Sequence, residues 1–176
     1  RICLVGSEMC IRDSLYIIGT MNTADRSVQA LDAALRRRFS FQECPPCPEE
    51  LKGLLVEDTV DVEKLLRTIN DRIQLLYDRD HCIGHAPFLP LWKDRSLGAL
   101  QRIFRDYLLP LLQEYFFNDL GRIGLILGSD FVKSQDTAIA FANFDDDRAE
   151  SLLDKPLYVF ADVTTLTAEA FRGIYS

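Results

Sequence analysis

The stretch Met21-Asn22-Thr23-Ala24-Asp25-Arg26-Ser27 sets an amide, hydroxyls, a carboxylate and a guanidinium side by side, directly after the apolar run Leu15-Tyr16-Ile17-Ile18-Gly19. Further on, Arg36, Arg37 and Arg38 stand together. An Asn at the carboxyl end of a buried strand sits where α/β sheets place their ligands, and its amide can hold a water or a γ-phosphate oxygen. Guanidinium groups at a subunit edge can reach a neighbour's phosphate site and stabilise the charge that develops there. Strand, Asn, helix and Arg make half of a phosphoryl-transfer site. The other half, a phosphate-cradling G-x-x-x-x-G-K-[ST] loop, does not occur in the sequence.

The elements that must position these groups follow from the pattern. Leu15–Gly19 is continuously apolar, which predicts a strand buried on both faces of a parallel sheet. A helix is expected over about residues 25–37, capped by Asp25 or Ser27. Val28, Leu31, Ala34 and Leu35 form one apolar stripe on it, and the three arginines close it, where cations suit the helix dipole. Phe39-Ser40-Phe41 alternates as a short strand. Pro45, Pro46 and Pro48 mark a boundary, because proline resists helix and central strand alike. Beyond it Val62, Leu65, Leu66, Ile69, Ile73 and Leu76 predict a long helix. Residues 80–91 read as a loop. A second helix is expected over 97–117, kinked or split by Pro110. Residues 145–147 read as a solvated turn, Leu157–Phe160 as a strand and Thr167–Ile174 as a short helix.

The whole chain has 176 residues, 48% hydrophobic and 27% charged, the composition of a globular protein. It lacks any apolar run long enough to span a membrane and any opening signal peptide, so the cytoplasm is the expected compartment. The net charge of -7 disfavours a direct clamp on a nucleic-acid backbone. Residues 15–43 differ, with four arginines against Asp25, Asp32 and Glu43. Five cysteines are present. Cys44-Pro45-Pro46-Cys47 has redox or zinc spacing, but no second pair of ligands matches it. Reduced structural thiols and no metal site are the expectation, and His81 with Cys82 does not change it.

The first residues have no clean helical or strand period. Leu4–Ser14 (LVGSEMCIRDS) resembles the translation of a transposase-type sequencing adapter. Residues 1–14 are therefore expected to be a non-native segment outside the fold, which removes Cys3 and Cys10 from the native count.

The stretch IIGTMNTADRSVQALDAALRRRFSF closely resembles the McrB-type AAA+ proteins, the GTP-hydrolysing motor subunits of modification-dependent restriction systems. MNTADRS is similar to their sensor-1 signature and ALDAALRRRF to their arginine-finger helix. INDRI, IGHAPF and LLPLLQEYFFND resemble their helical lid. The resemblance is strong over residues 15–41, fair to about 128 and weak beyond. It implies an α/β portion followed by an α portion: the end of an AAA+ P-loop NTPase large subdomain at 15–43, a helical lid at 44–128, and a small α+β extension at 129–176.

The resemblance also assigns roles. Asn22 is the implied sensor 1, orienting the attacking water. Thr23, Asp25 and Arg26 belong to a loop that lies near the endonuclease subunit in this family. Arg37, then Arg38, is the implied finger acting in trans. Gly84 and His85 fall where the lid approaches nucleotide, and no sensor-2 arginine is evident. The implied cofactor is GTP or ATP with Mg²⁺. The implied partners are a homo-oligomeric ring, expected as a hexamer, an McrC-like endonuclease subunit, and DNA through other domains. The P-loop and the acidic Mg²⁺ motif precede sensor 1 in the family order and are expected upstream of Leu15, so this chain alone is expected not to hydrolyse nucleotide. Two other readings stay open: a MoxR-like remodelling ATPase, which typically has Asn-Pro where this chain has Asn22-Thr23, and a non-catalytic interaction module.

Overall fold

A computed structural model describes residues 16–21, 37–135 and 156–176. The chain divides into two compact units, Arg1–Pro45 and Pro46–Ser176.

In the first unit the described residues form no strand. Tyr16 is 87% exposed and Ile18 is 93% exposed, so the strand expected at Leu15–Gly19 is corrected over 16–19. A parallel strand is buried only between partner strands and under helices on both faces, and the described residues hold no strand that pairs with it. Phe39-Ser40-Phe41, also expected as a strand, is a turn end followed by irregular backbone with both aromatic rings exposed. The helix expected over about 25–37 lies outside the described residues up to residue 36, and Arg37 stands in a turn rather than a helix.

The second unit begins with a 3₁₀ turn, Pro48–Leu51, which buries Pro48 and Leu51. A short antiparallel hairpin follows, β1 (Leu55–Val56) and β2 (Val60–Asp61). Its turn residues Glu57 and Asp58 both have positive φ, the geometry that matches the twist of paired strands. The long helix α1 (Val62–Leu76) then starts from Asp61, whose side chain accepts the Lys64 amide. Its predicted stripe is the buried face: Val62, Leu65, Leu66, Ile69 and Ile73 are inaccessible.

Residues 80–91, expected as a loop throughout, end in a 3₁₀ helix, Ala86–Trp92. The tight 3₁₀ turn tolerates Pro87 and Pro90 and still buries Phe88 and Leu91. The helix expected over 97–117 runs as α2 (Leu97–Ile103), a π turn (Phe104–Leu108) and α3 (Leu109–Tyr115). Pro110 splits the run as anticipated, and it does so through hydrogen bonding. It has no N–H to give, the Leu109 amide reaches back to the Phe104 carbonyl, and the dihedrals stay helical through the junction.

Helix α4 (Leu120–Leu127) is capped by Asp119 and stopped by Gly128 at φ 94°. A second antiparallel ribbon pairs β3 (Val132–Gln135) with β4 (Leu157–Phe160), Val132 opposite Phe160. A 3₁₀ turn, Val163–Thr165, leads into α5 (Ala168–Gly173). The strand and short helix anticipated here are present, while residues 145–147 lie outside the described residues. The end of the chain shares the core of the helices. Phe104, Phe131 and Phe171 pack ring on ring, Gln101 donates to the Leu166 carbonyl, and the Asp61 amide donates to the Tyr175 hydroxyl.

Candidate functional site

Asn22, Thr23, Asp25 and Arg26 lie outside the described residues. Arg37 and Arg38 are exposed in a turn of the first unit. Gly84 and His85 lie in the second unit, in the loop between α1 and the 3₁₀ helix at 86–92, both half-buried.

That loop is held by side chains the sequence reading passed over. Asn70, buried on α1, grips Ile83 at both ends: its Oδ1 accepts the Ile83 amide at 2.7 Å and its Nδ2 donates to the Ile83 carbonyl at 2.9 Å. The Cys82 thiol donates to the Asn70 carbonyl at 3.8 Å, and burial pushes that thiol up from its ordinary value. A signal for Asn70 was available. It stands four residues after Leu66 and three before Ile73, a polar residue on the apolar stripe, and a buried amide there needs partners.

The two histidines have opposite roles. His81 is buried edge-on against Tyr77 and Tyr115. Its Nδ1 lies 2.6 Å from Asp78 Oδ1, and the same oxygen accepts the His81 amide. A carboxylate only accepts, so Nδ1 carries the proton. Burial pushes the Asp78 carboxyl upward, but the His81 hydrogen bonds outweigh it and the net shift is down. Tyr115 is pushed up to about 12, chiefly by burial. This cluster is structural.

His85 is the reverse case. Its Nδ1 accepts the Cys47 amide at 3.3 Å, so the neutral ring carries its proton on Nε2. Nε2 has no hydrogen-bond partner among the described residues. A Cβ placed on Gly84 would meet nothing within 4 Å. The loop thus offers one N–H donor that no described residue takes up, which suits an anionic oxygen. Among the described residues no group of three or more His, Cys, Asp or Glu could hold a metal ion.

Around Cys47 the unit is tied down by charge. Arg67 on α1 reaches Glu49 at 2.7 Å and Glu63 at 3.0 Å. The hydrogen bond from Arg67 holds the Glu49 carboxyl down at about 2. The Cys47 thiol donates to Glu49, and that bond pushes the thiol up. Cys44, Cys47 and Cys82 are free thiols.

Residues 61–124 match the family model described as McrB, alpha-helical lid domain. This part of the chain is similar to an McrB-type lid. The match begins at Asp61, the residue that caps α1, and covers α1 through most of α4. Across 123 residues the chain is 34% identical to the Type IV methyl-directed restriction enzyme EcoKMcrB subunit of Escherichia coli (strain K12). That similarity covers 62% of this chain and 27% of the relative, so the chain spans about a quarter of the length of the McrB subunit it matches. The stretch that matches the McrB lid model includes Asn70, the Gly84-His85 loop and the π turn before Pro110.

Proposed function

We propose that the chain is part of an AAA+ motor subunit of a modification-dependent restriction system, hydrolysing GTP or ATP with Mg²⁺. The match of residues 61–124 to the McrB lid carries this reading. The MNTADRS and ALDAALRRRF stretches support it. They supply an Asn where a sensor is needed and a run of arginines where a finger is needed.

In this reading Asn22 orients the attacking water. Arg37, with Arg38 beside it, stabilises charge on a neighbouring subunit's nucleotide, and both guanidinium groups are exposed as that role requires. Thr23, Asp25 and Arg26 face an McrC-like endonuclease partner. Gly84 and His85 offer the lid's donor to phosphate oxygens. Subunits assemble as a ring, expected as a hexamer, because a finger acting in trans needs a neighbouring subunit's nucleotide. Catalysis is positioning and charge stabilisation. The metal and the β- and γ-phosphates are held by a P-loop and an acidic motif of the same polypeptide, and DNA is read by other domains.

The test starts with the source DNA upstream of the Leu15 codon. An open frame encoding G-x-x-x-x-G-K-[ST] and then an acidic motif is expected. In the product of that frame, Asn22→Ala and Arg37→Ala each lower GTP hydrolysis, Arg37→Ala by about a thousandfold. A frame without a P-loop, or variants that hydrolyse at the unsubstituted rate, overturns the proposal.

A further inference from the structure

We infer that Asn70 and the Cys47 amide together aim the His85 ring, making Asn70 a positioning residue for the lid's donor; this rests on the nucleotide-lid reading above. Two holds converge on one loop. Asn70 uses both its amide atoms on Ile83, two residues before His85. Cys47, far away in sequence, gives its backbone N–H to His85 Nδ1. The first hold fixes the backbone that carries the ring. The second fixes the ring's rotation and its tautomer, since an Nδ1 that accepts leaves the proton on Nε2.

The Cys47 end is itself seated. Pro48 and Leu51 are buried immediately after it, and Glu49 is held by Arg67. The ring therefore bridges the start of the second unit and the loop after α1. It presents one N–H donor, on Nε2, that no described residue takes up, on a half-buried loop position. A donor fixed before the ligand arrives costs no reorganisation at binding. The ligand class is the anionic oxygen of a nucleoside triphosphate.

Paired substitutions of His85 separate the two ends of the ring, because Asn replaces Nδ1 and Gln replaces Nε2. His85→Asn keeps an acceptor for Cys47, so hydrogen exchange at the Cys47 amide stays near the unsubstituted rate. His85→Gln loses that acceptor, and exchange rises about fivefold, the scale of one net hydrogen bond. In the unsubstituted chain, nitrogen-15 spectra of the ring show the Nε2–H tautomer. In the product of the full upstream frame, which carries the P-loop, millimolar GTP with Mg²⁺ shifts the Nε2 resonance. Asn70→Ala mixes the tautomers and weakens that shift at least threefold, and Asn70→Gln does not restore it. Equal Cys47 exchange in the two His85 variants overturns the inference, as does an Asn70→Ala ring that keeps both its tautomer and its response. The nucleotide-lid reading fails separately, through the upstream frame and the hydrolysis assay. In that full product, an unsubstituted ring with the stated tautomer and no response to GTP overturns the ligand assignment.

Discussion

The Asn70 side chain forms a two-point hydrogen bond with the backbone of Ile83, 2.7 Å to its N–H and 2.9 Å to its carbonyl, thirteen residues along the chain. It occupies a place that a strand partner would fill, and no water need enter. Removing the amide leaves two backbone groups of a buried residue without partners, and each costs about 1–3 kcal/mol. Asn70→Ala is therefore expected to destabilise the second unit by roughly 2–4 kcal/mol, read as a lower urea midpoint with unchanged slope. A loss below about 0.5 kcal/mol would show that water replaces the amide.

Phe117 and Asn118 follow α3 with φ of 51° and 60°. Asn tolerates the left-handed region, whereas Phe meets a steric cost there. The conformation closes the helix end, with the Asn118 amide donating to the Gln113 carbonyl at 2.8 Å, but the Phe117 ring is 81% exposed and its packing repays little of the cost. Phe117→Gly relieves the strain and is expected to raise stability by about 0.5–1 kcal/mol, even after the extra chain entropy of glycine. Thermal melting of the pair of proteins decides it, and a lower Tm for the glycine variant would refute the claim.

Much of the second unit was legible because its helices carry period-3.6 stripes. The face of α1 was read position by position, and Pro110 disclosed the break in α-type bonding before it. The hairpin at 55–61 was missed because its turn uses Glu57 and Asp58 at positive φ, where Gly or Asn would have announced it. Residues 86–92 were hidden by their prolines, which suggest a loop and equally suit a 3₁₀ turn. The candidate site was half legible. Gly84-His85 stood out by type, but the Cys47 contact that sets the His85 tautomer spans 38 residues and leaves no local pattern. The apolar run at 16–19 pointed to a strand, yet burial depends on partners that a run of residues does not encode.

Glu49 gives the acid limb of stability a sign. Its carboxyl is held at about 2, below its ordinary value of 4.5, chiefly by the hydrogen bond from Arg67. A depressed folded value means the contribution is fully present above the unfolded value and is lost as pH falls through the folded one. The window is thus pH 4.5 down to about 2. Both side chains are largely exposed, so the effect is small and salt-sensitive. Glu49→Gln is expected to flatten the stability curve in that window and leave it unchanged in shape above. Denaturant midpoints across the window at low and at high salt check this. An identical acid limb in both proteins would mean the pair contributes nothing.

Phe171 tests whether the last part of the chain is integral to the lid's core. Its ring meets Phe104 at 4.9 Å and Phe131 at 5.3 Å, edge to face in both cases. Phe104 opens the π turn of the helical half, and Phe131 precedes β3. All three are fully buried. Deleting the central ring forfeits its transfer energy and leaves a cavity between elements distant in sequence. Phe171→Ala is expected to cost about 3–5 kcal/mol. Because the Tyr175–Asp61 and Gln101–Leu166 bonds cross the same junction, the loss should appear as one cooperative transition shifted down, not as early fraying of the C-terminal helix. Hydrogen exchange resolved by segment distinguishes the two: if only residues 157–175 lose protection while α1 keeps its own, the C-terminal elements are an appendage and the shared core does not bind them into one folding unit.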